Sequence, residues 1–166
     1  MKLEQASTWH RGVLDFPNPV NDYAARSTAG LVIALAVASI VVNQPWLYAI
    51  LALGFALRVA GGPRYSPFGR LAVHVIVPQV WKKEKIVPGP PKRFAQTIGL
   101  AFSGTALVLS LFGLGLAAQI VVGALIAAAF LEFAFGLCLG CIGFGLLQRA
   151  GIIPASVCES CNNFGR

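Results

Sequence analysis

Long apolar stretches separated by short polar breaks occupy most of this chain. Leu, Ile, Val, Ala, Gly and Phe are nearly unbroken over Thr28–Val42, Leu47–Ala60 and Leu100–Leu147. Runs of this length and composition are typical of membrane-spanning helices. A transmembrane β-barrel is excluded, because its strands alternate apolar and polar residues over about ten positions. The pattern therefore predicts an all-α membrane protein.

The breaks divide the apolar sequence into four spanning helices, arranged as two tandem helical hairpins. The first break is Gln44-Pro45, and the second is supplied by Gly113 and Gly115. The charge-free sequence between Phe94 and Glu132 is too long for one span, so the second break must lie inside it. The four predicted helices are Ser27–Asn43, Trp46–Ala60, Phe94–Phe112 and Ala118–Leu139.

Polar segments before, between and after the hairpins complete the predicted organisation. No cleavable signal peptide is expected, because the first residues are mixed polar and lack an early apolar region. The five predicted parts are a cytoplasmic N-terminal tail (1–26), a first transmembrane hairpin (27–60), a basic cytoplasmic loop (61–93), a second transmembrane hairpin (94–147) and a cytoplasmic cysteine-containing tail (148–166).

Charge placement sets the expected orientation in the lipid bilayer. Only 11% of the residues are charged, against roughly 25% in soluble domains, which agrees with a membrane protein. The net charge of +7 comes largely from basic residues between Gly61 and Phe94, whereas the two hairpin turns carry no charge. By the positive-inside rule the loop and both termini are predicted to be cytoplasmic, and no nucleic-acid partner is expected.

The segment between the hairpins allows two interpretations. Pro67–Val77 is either one interfacial helix, with Arg70 and His74 on its polar face, or an irregular linker on the membrane surface. The proline-rich stretch Ile86–Pro91 is expected to be a stiff, extended connector to the third helix.

An internal repeat appears when residue n is aligned with residue n+74. Thr28–Val42 then falls on Phe102–Leu116, and Leu47–Ala60 falls on Val121–Ala134. Because each half crosses the membrane twice, the halves should be related by a pseudo-twofold axis along the membrane normal.

Two ionisable residues, Arg58 and Glu132, lie within the predicted helices and coincide in this alignment. Equal depth on opposite halves predicts a structural ion pair near the axis, which would lower the cost of charge in lipid. Alternatively, Arg58 extends its side chain to the nearby membrane surface. Glu132 is also a catalytic candidate, because it precedes the first cysteine pair on the fourth helix.

All four cysteines lie in the last 29 residues, as the two CxxC pairs Cys138/Cys141 and Cys158/Cys161. A CxxC pair holds two sulfurs close enough for a disulfide, and it can also carry sulfur as a persulfide. The pattern C-x2-C-x16-C-x2-C also fits the spacing of four-thiolate zinc sites. A redox or sulfur-carrying dithiol, a zinc or iron–sulfur site, and simple packing all remain open.

Three motifs occur together in one order: Gly62–Gly69, Pro91–Gln96 and Phe135–Cys141. With them the chain resembles the bacterial membrane family called domain of unknown function 4395, over roughly Asn18 to Leu147. The resemblance implies a four-helix protein of the bacterial cytoplasmic membrane. Some members are encoded near thioredoxin-like proteins and sulfurtransferases, which implies a partner of one of these kinds. The Cys158/Cys161 tail has no match in the family pattern.

We therefore expect an integral membrane protein that exchanges electrons or sulfur with a cytoplasmic partner through Cys138 and Cys141. The alternative is a non-catalytic subunit of a larger membrane complex. In that case Cys138, Cys141, Cys158 and Cys161 would bind structural zinc or an iron–sulfur cluster.

Overall fold

The computed structural model describes residues 20–82 and 85–154, which are almost entirely helical. The helices are α1 (Asp22–Val42), α2 (Pro45–Gly61), α3 (Pro67–Leu71), α4 (Gly89–Leu111), α5 (Gly115–Phe135) and α6 (Leu139–Arg149), and the strands are β1 (Val20–Asn21) and β2 (Ile86–Val87). Helices α1, α2, α4 and α5 are long and apolar enough to cross a membrane. The predicted all-α, multi-pass architecture is confirmed.

The four long helices form a closed four-helix bundle. Helix α2 packs along α4, α5 packs along α1, and each hairpin also packs its own two helices together. This reciprocal contact, in which the second helix of each hairpin lies against the first helix of the other, is the arrangement that a twofold axis between the hairpins produces.

The buried core repeats with the same offset as the sequence. Its centre is a cluster of buried apolar side chains contributed by all four long helices. Three pairs in that cluster are related by the 74-residue offset, namely Val32 with Ala106, Tyr48 with Val122 and Leu51 with Leu125. These three pairs of equivalent residues therefore belong to one core, which agrees with the pseudo-twofold relation that the repeat in the sequence predicts.

Short turns close one end of the bundle, here called the hairpin end. Helix α1 ends at Val42, and its C-cap residue Asn43 has a left-handed backbone (φ 50°) that reverses the chain. The hydroxyl of Tyr48 donates to Oδ1 of Asn43 at 3.2 Å. The second turn contains Gly113 at φ 78°. Both turns lie where the sequence predicts them.

Helices α1 and α4 begin, and α2 and α5 end, at the opposite end of the bundle, next to α6. This end is here called the cysteine end, because Cys138 and Cys141 lie at the start of α6. Strands β1 and β2 pair antiparallel and hold the starts of α1 and α4 together. The prediction of an extended connector over Ile86–Pro91 is correct only for the residues of β2, because α4 already begins at Gly89. Proline is tolerated in a first helical turn because its missing N–H has no helical partner there.

The segment between the hairpins is helical, which decides between the two interpretations of Pro67–Val77. Helix α3 continues directly into a π-helical segment, Ala72–Trp81. At its end Trp81 packs on the ring of Tyr23 with centroids 4.8 Å apart, and its indole N–H donates to Ser27 Oγ at 3.1 Å. These contacts fasten the segment to the start of α1.

The fourth spanning helix begins and ends earlier in the sequence than predicted, at Gly115 rather than Ala118 and at Phe135 rather than Leu139. It ends at Phe135 because Gly136 adopts a left-handed conformation (φ 69°) that stops α5. A separate helix, α6, then begins at Leu139. The predicted boundary of the tail at residue 148 falls inside this helix.

Two arginines cap helix ends across the pseudo-twofold axis. Arg26 on α1 donates to the carbonyls of Phe133 and Ala134 at the end of α5, at 3.0–3.1 Å. Arg93 on α4 donates to the carbonyl of Val59 near the end of α2, at 3.1 Å. The acceptors Val59 and Phe133 are themselves related by the 74-residue offset. Each hairpin thus satisfies carbonyls that the other hairpin's helix end leaves without an intrahelical partner.

Candidate functional site

The first CxxC pair lies at the start of α6. Cys138 is the N-cap residue of this helix, and its Sγ accepts the backbone N–H of Cys141 at 3.2 Å. Cys138 and Cys141 are joined as a disulfide. Cys138 is buried, with 8% of its surface exposed, whereas Cys141 is half-buried. The expected position at the end of a spanning helix is thus corrected to the N-terminus of a separate helix.

Close contact with α4 fixes the position of α6. A Cβ atom on Gly140 would lie 2.5 Å from Cα of Ala95, so glycine is required for this approach. One turn later Phe144 meets Phe94 edge to face, with ring centroids 5.8 Å apart. The disulfide is therefore held against the start of α4.

A buried cluster of charges lies at the same end of the bundle. The ammonium of Lys92 is 3.0 Å from Oδ1 of Asp22 and 2.8 Å from Oε1 of Glu132. All three side chains are largely buried, with exposed fractions of 6%, 7% and 14%. Lys85 approaches Asp22 at 3.8 Å from the exposed side.

Helix dipoles explain why Lys92 and Glu132 pair with each other. Lys92 lies in the first turn of α4 and Glu132 in the last turn of α5, where each charge is disfavoured by the dipole of its own helix. The ion pair offsets both penalties. Asp22, in the first turn of α1, occupies a position that its helix dipole favours.

The predicted ion pair between Arg58 and Glu132 is not formed within the described residues. Glu132 accepts from Lys92 instead. Lys92 and Arg93, which the sequence places in the basic loop, both lie within α4. The alignment of the repeats matches Arg58 with Glu132. It cannot show that Lys92, from another helix, forms the ion pair with this carboxylate instead.

The side chain of Arg58 is buried and makes no hydrogen bond to the residues that the structure describes. Only 4% of the residue is exposed, and its guanidinium carbon lies 4.3 Å from the ring centroid of Phe55. None of its three side-chain nitrogens has a hydrogen-bond partner in the part of the chain that the structure describes, and Oε1 of Gln96 is likewise unpaired. The alternative in which Arg58 extends to the membrane surface is therefore wrong.

Two cavities meet at Cys138. The first, here called the α6 cavity, has about 430 Å³ and is lined by Cys138, Cys141, Asp22 and Lys92 among others. The second, here called the bundle cavity, has about 310 Å³ and lies between the spanning helices. Arg58, Glu132 and Cys138 line it. Cys138 therefore borders both the cavity beside α6 and the cavity between the spanning helices.

The second cysteine pair, Cys158 and Cys161, lies outside the described residues. Within residues 20–82 and 85–154 there is no group of three or more His, Cys, Asp or Glu side chains that could hold a metal ion. The zinc or iron–sulfur alternative needs all four cysteines and stays a prediction.

Sequence reasoning missed Asp22, Lys92 and Gln96 as members of this site. The apolar pattern places Asp22 in the predicted N-terminal tail and Lys92 in the predicted basic loop, because both residues lie outside the apolar runs. A usable signal was the prolines immediately before Lys92, since proline is favoured in a first helical turn and therefore extends α4 backwards through the lysine.

These features define a class of protein: a multi-pass helical membrane protein with a CxxC disulfide at one end of its bundle. Residues 20–149 match the family described as Domain of unknown function (DUF4395). The chain belongs to this family, which confirms the resemblance seen in the sequence motifs. The matched range includes Cys138 and Cys141 and ends before Cys158. Searches of curated proteins and of solved structures found no match.

Proposed function

We propose that Cys138 and Cys141 form a thiol–disulfide couple that exchanges electrons or sulfur with a cytoplasmic partner. The observation that carries the proposal is the position of Cys138 at the N-cap of α6, joined to Cys141. A helix N-terminus favours a thiolate, because unpaired N–H groups and the helix dipole stabilise negative charge. A disulfide in a reducing compartment is usually catalytic or transient.

Exposure assigns different roles to the two sulfurs. A partner thiolate attacks Sγ of half-buried Cys141, the bond between the two cysteines breaks, and Cys138 leaves as a thiolate held by the N–H of Cys141. The second partner thiolate then attacks its own sulfur in the mixed disulfide and releases Cys141. Two electrons reach the cysteine pair, the partner becomes a disulfide, and the two partner protons end on Cys138 and Cys141.

Lys92 gives the α6 cavity an electrostatic part in this chemistry. It lines the same cavity as both sulfurs, together with Lys85 and Arg149 and against one lining carboxylate, Asp22, so the lining is net positive and favours a thiolate. The carboxylates of Asp22 and Glu132 fix the position of Lys92. Sulfur transfer uses the same groups: a thiolate of the reduced pair attacks the terminal sulfur of a partner persulfide, gains that sulfur and releases the partner thiolate.

Thiol trapping of the purified protein tests the proposal, with thioredoxin as the partner probe. Reduced thioredoxin is expected to convert the Cys138–Cys141 disulfide into two alkylatable thiols, with one thioredoxin disulfide formed. Cys138→Ser leaves a single thiol at Cys141, which cannot form the intramolecular disulfide, so this variant should take no electrons from reduced thioredoxin and no thioredoxin disulfide should form. A Cys158→Ser, Cys161→Ser double variant is the control and should behave as the unmodified protein.

The metal-site alternative predicts a different result in the same samples. Four thiols would be protected together and released by a chelator, with stoichiometric zinc or iron in the protein as purified. Reversible thiol exchange without stoichiometric metal supports the dithiol couple. Unchanged reactivity after loss of Cys138 and Cys141 would contradict both proposals.

We also propose that the cysteine end faces the cytoplasm, because the exposed basic residues Arg64, Arg70, Lys82 and Lys85 lie there. Single reporter cysteines in a cysteine-free variant test this orientation. Phe112→Cys at the hairpin end replaces a residue that is 78% exposed, and Val80→Cys at the cysteine end one that is 69% exposed. An impermeant thiol reagent added to intact cells should label only Phe112→Cys, and the opposite pattern would reverse the orientation.

A further inference from the structure

The bundle cavity presents polar groups that have no partner inside the described protein. The guanidinium of Arg58 offers five N–H donors, and none is used in a hydrogen bond to described residues. Oε1 of Gln96, which lines the same cavity, is an unused acceptor. Buried polar groups are normally hydrogen-bonded, since leaving a charged donor unsatisfied is strongly unfavourable. The cavity is therefore built for an occupant that accepts from Arg58 and donates to Gln96.

The charges around the cavity favour an uncharged occupant. Arg58 and Glu132 line the cavity, and Glu132 also belongs to the neighbouring cluster with Lys92 and Asp22, so that two positive charges balance two negative ones. An anion added beside Arg58 would upset this balance in a region of low dielectric, where an uncompensated charge is costly. A neutral carbonyl oxygen satisfies the guanidinium without adding charge.

Apart from Arg58, Gln96, Thr28, Glu132 and Cys138, the residues that line the cavity are apolar, and some of them reach the outer surface of the bundle. The ring of Phe55 lies under the guanidinium of Arg58. Small side chains of α5, such as that of Ala128, line the cavity from the other side. Ile98 and Phe102 line the cavity and are each 37% exposed on the bundle surface, which the bilayer covers. A volume of about 310 Å³ lies in the range of small-molecule sites, and its occupant can enter from the lipid.

We propose that the bundle cavity binds a lipid-soluble quinone and that this quinone is the electron acceptor of Cys138 and Cys141. This inference rests on the proposed thiol–disulfide function. A quinone ring is flat and apolar, and its carbonyl oxygens accept hydrogen bonds. Its reduced form, a hydroquinone, has hydroxyl groups that donate. It therefore matches the unused donors of Arg58, the unused acceptor of Gln96 and the apolar walls together.

Cys138 is the cysteine that reaches this site, because it lines both cavities whereas Cys141 lines only the α6 cavity. In the reduced pair, Cys138 sulfur forms a bond to a quinone ring carbon. Cys141 then attacks Cys138, the sulfur–carbon bond breaks and the disulfide forms. The two cysteines are oxidised, the quinone becomes a hydroquinone, and the two thiol protons end on its oxygens. Electrons thus pass from a partner dithiol through the cysteine pair to the membrane quinone.

A binding measurement tests the site independently of the thiol chemistry. Oxidised protein in phosphatidylcholine nanodiscs is titrated with decylubiquinone, and saturable binding of one molecule per chain is expected. Arg58→Leu removes the donors and should weaken binding about tenfold to a hundredfold. Ala128→Leu fills the cavity without changing charge and should also abolish or weaken binding. The matched control is Ala127→Leu, because Ala127 is the exposed neighbour on the same helix and does not line the cavity.

A turnover measurement tests the electron transfer. Reduced protein without oxygen should reduce one decylubiquinone for each pair of thiols lost, and Ala127→Leu should do the same. Unaltered binding in both Arg58→Leu and Ala128→Leu would overturn the site. Binding of phosphatidylglycerol that depends on Arg58 and displaces the quinone would overturn it in favour of a lipid headgroup.

The two proposals fail in distinguishable ways. Reduced protein that exchanges with thioredoxin but leaves decylubiquinone oxidised would overturn the quinone inference and leave the proposed function intact. Protein that exchanges electrons with neither probe would overturn the proposed function, and the quinone step would fail with it.

Discussion

A Lys92→Met variant is expected to be about 3–5 kcal/mol less stable than the unmodified protein, because it leaves Asp22 and Glu132 buried without their shared cation. Methionine keeps much of the side-chain volume, so the change tests charge rather than packing. Thermal or denaturant unfolding in detergent, followed by circular dichroism, measures the difference. The loss should exceed that caused by any other substitution of a lysine at the cysteine end.

Lys85→Met is the matched control, since Lys85 touches the same carboxylate but its side chain is 64% exposed. Exposed ion pairs contribute about 0–1 kcal/mol, so this variant should unfold almost as the unmodified protein does. A triple variant, Asp22→Asn, Lys92→Met and Glu132→Gln, should recover much of the lost stability because no unpaired charge remains. Equal stability of Lys92→Met and Lys85→Met would contradict the buried cluster.

Gly140→Ala is expected to destabilise the protein by about 1–3 kcal/mol, the usual effect of overpacking a close contact. The added methyl group would lie 2.5 Å from the backbone of Ala95, so α6 must move away from α4. Because Cys138 and Cys141 begin α6, the same shift should expose them. Unfolding measurements and the alkylation rate of the reduced pair report the two effects.

Gly145→Ala supplies the control on the same helix. A Cβ at Gly145 meets nothing within 4 Å, and replacing glycine inside a helix by alanine stabilises it by about 0.5–1 kcal/mol. The two variants should therefore shift stability in opposite directions. If both stabilise, the close approach of α6 to α4 is not present in the protein.

The spanning helices and their turns were predictable because apolar length alone limits where a chain can cross a membrane. The repeat also predicted a twofold relation between the halves, and the equivalent residues Tyr48 and Val122 both belong to the buried core cluster. The end of α5 was not predictable from hydropathy, because the residues after Phe135 are as apolar as those before it. The backbone conformation of Gly136 and the capping by Cys138 decide that boundary, and neither changes the hydropathy.

The charged part of the site was harder to predict for a different reason. Arg58 and Glu132 were identified because they interrupt apolar runs, and they do line one cavity. The sequence places Lys92 in the basic loop, because it lies outside the apolar runs and among other basic residues. Lys92 can be buried because Asp22 and Glu132, on two other helices, pack against it. A single sequence does not show that three residues so far apart along the chain lie together.

The crossed arginine caps have a consequence for symmetry. Two identical hairpins related by a twofold axis would make both caps with one residue type, as an isologous dimer interface does. Such a homodimer, however, would place two arginines or two glutamates at the position where this chain has Arg58 and Glu132. Joining the hairpins in one polypeptide lets these equivalent positions carry opposite charges. The single chain can therefore have the unpaired donors of Arg58 on one side of the axis and the ion pair of Glu132 on the other. A symmetric dimer cannot have this difference between its two sides.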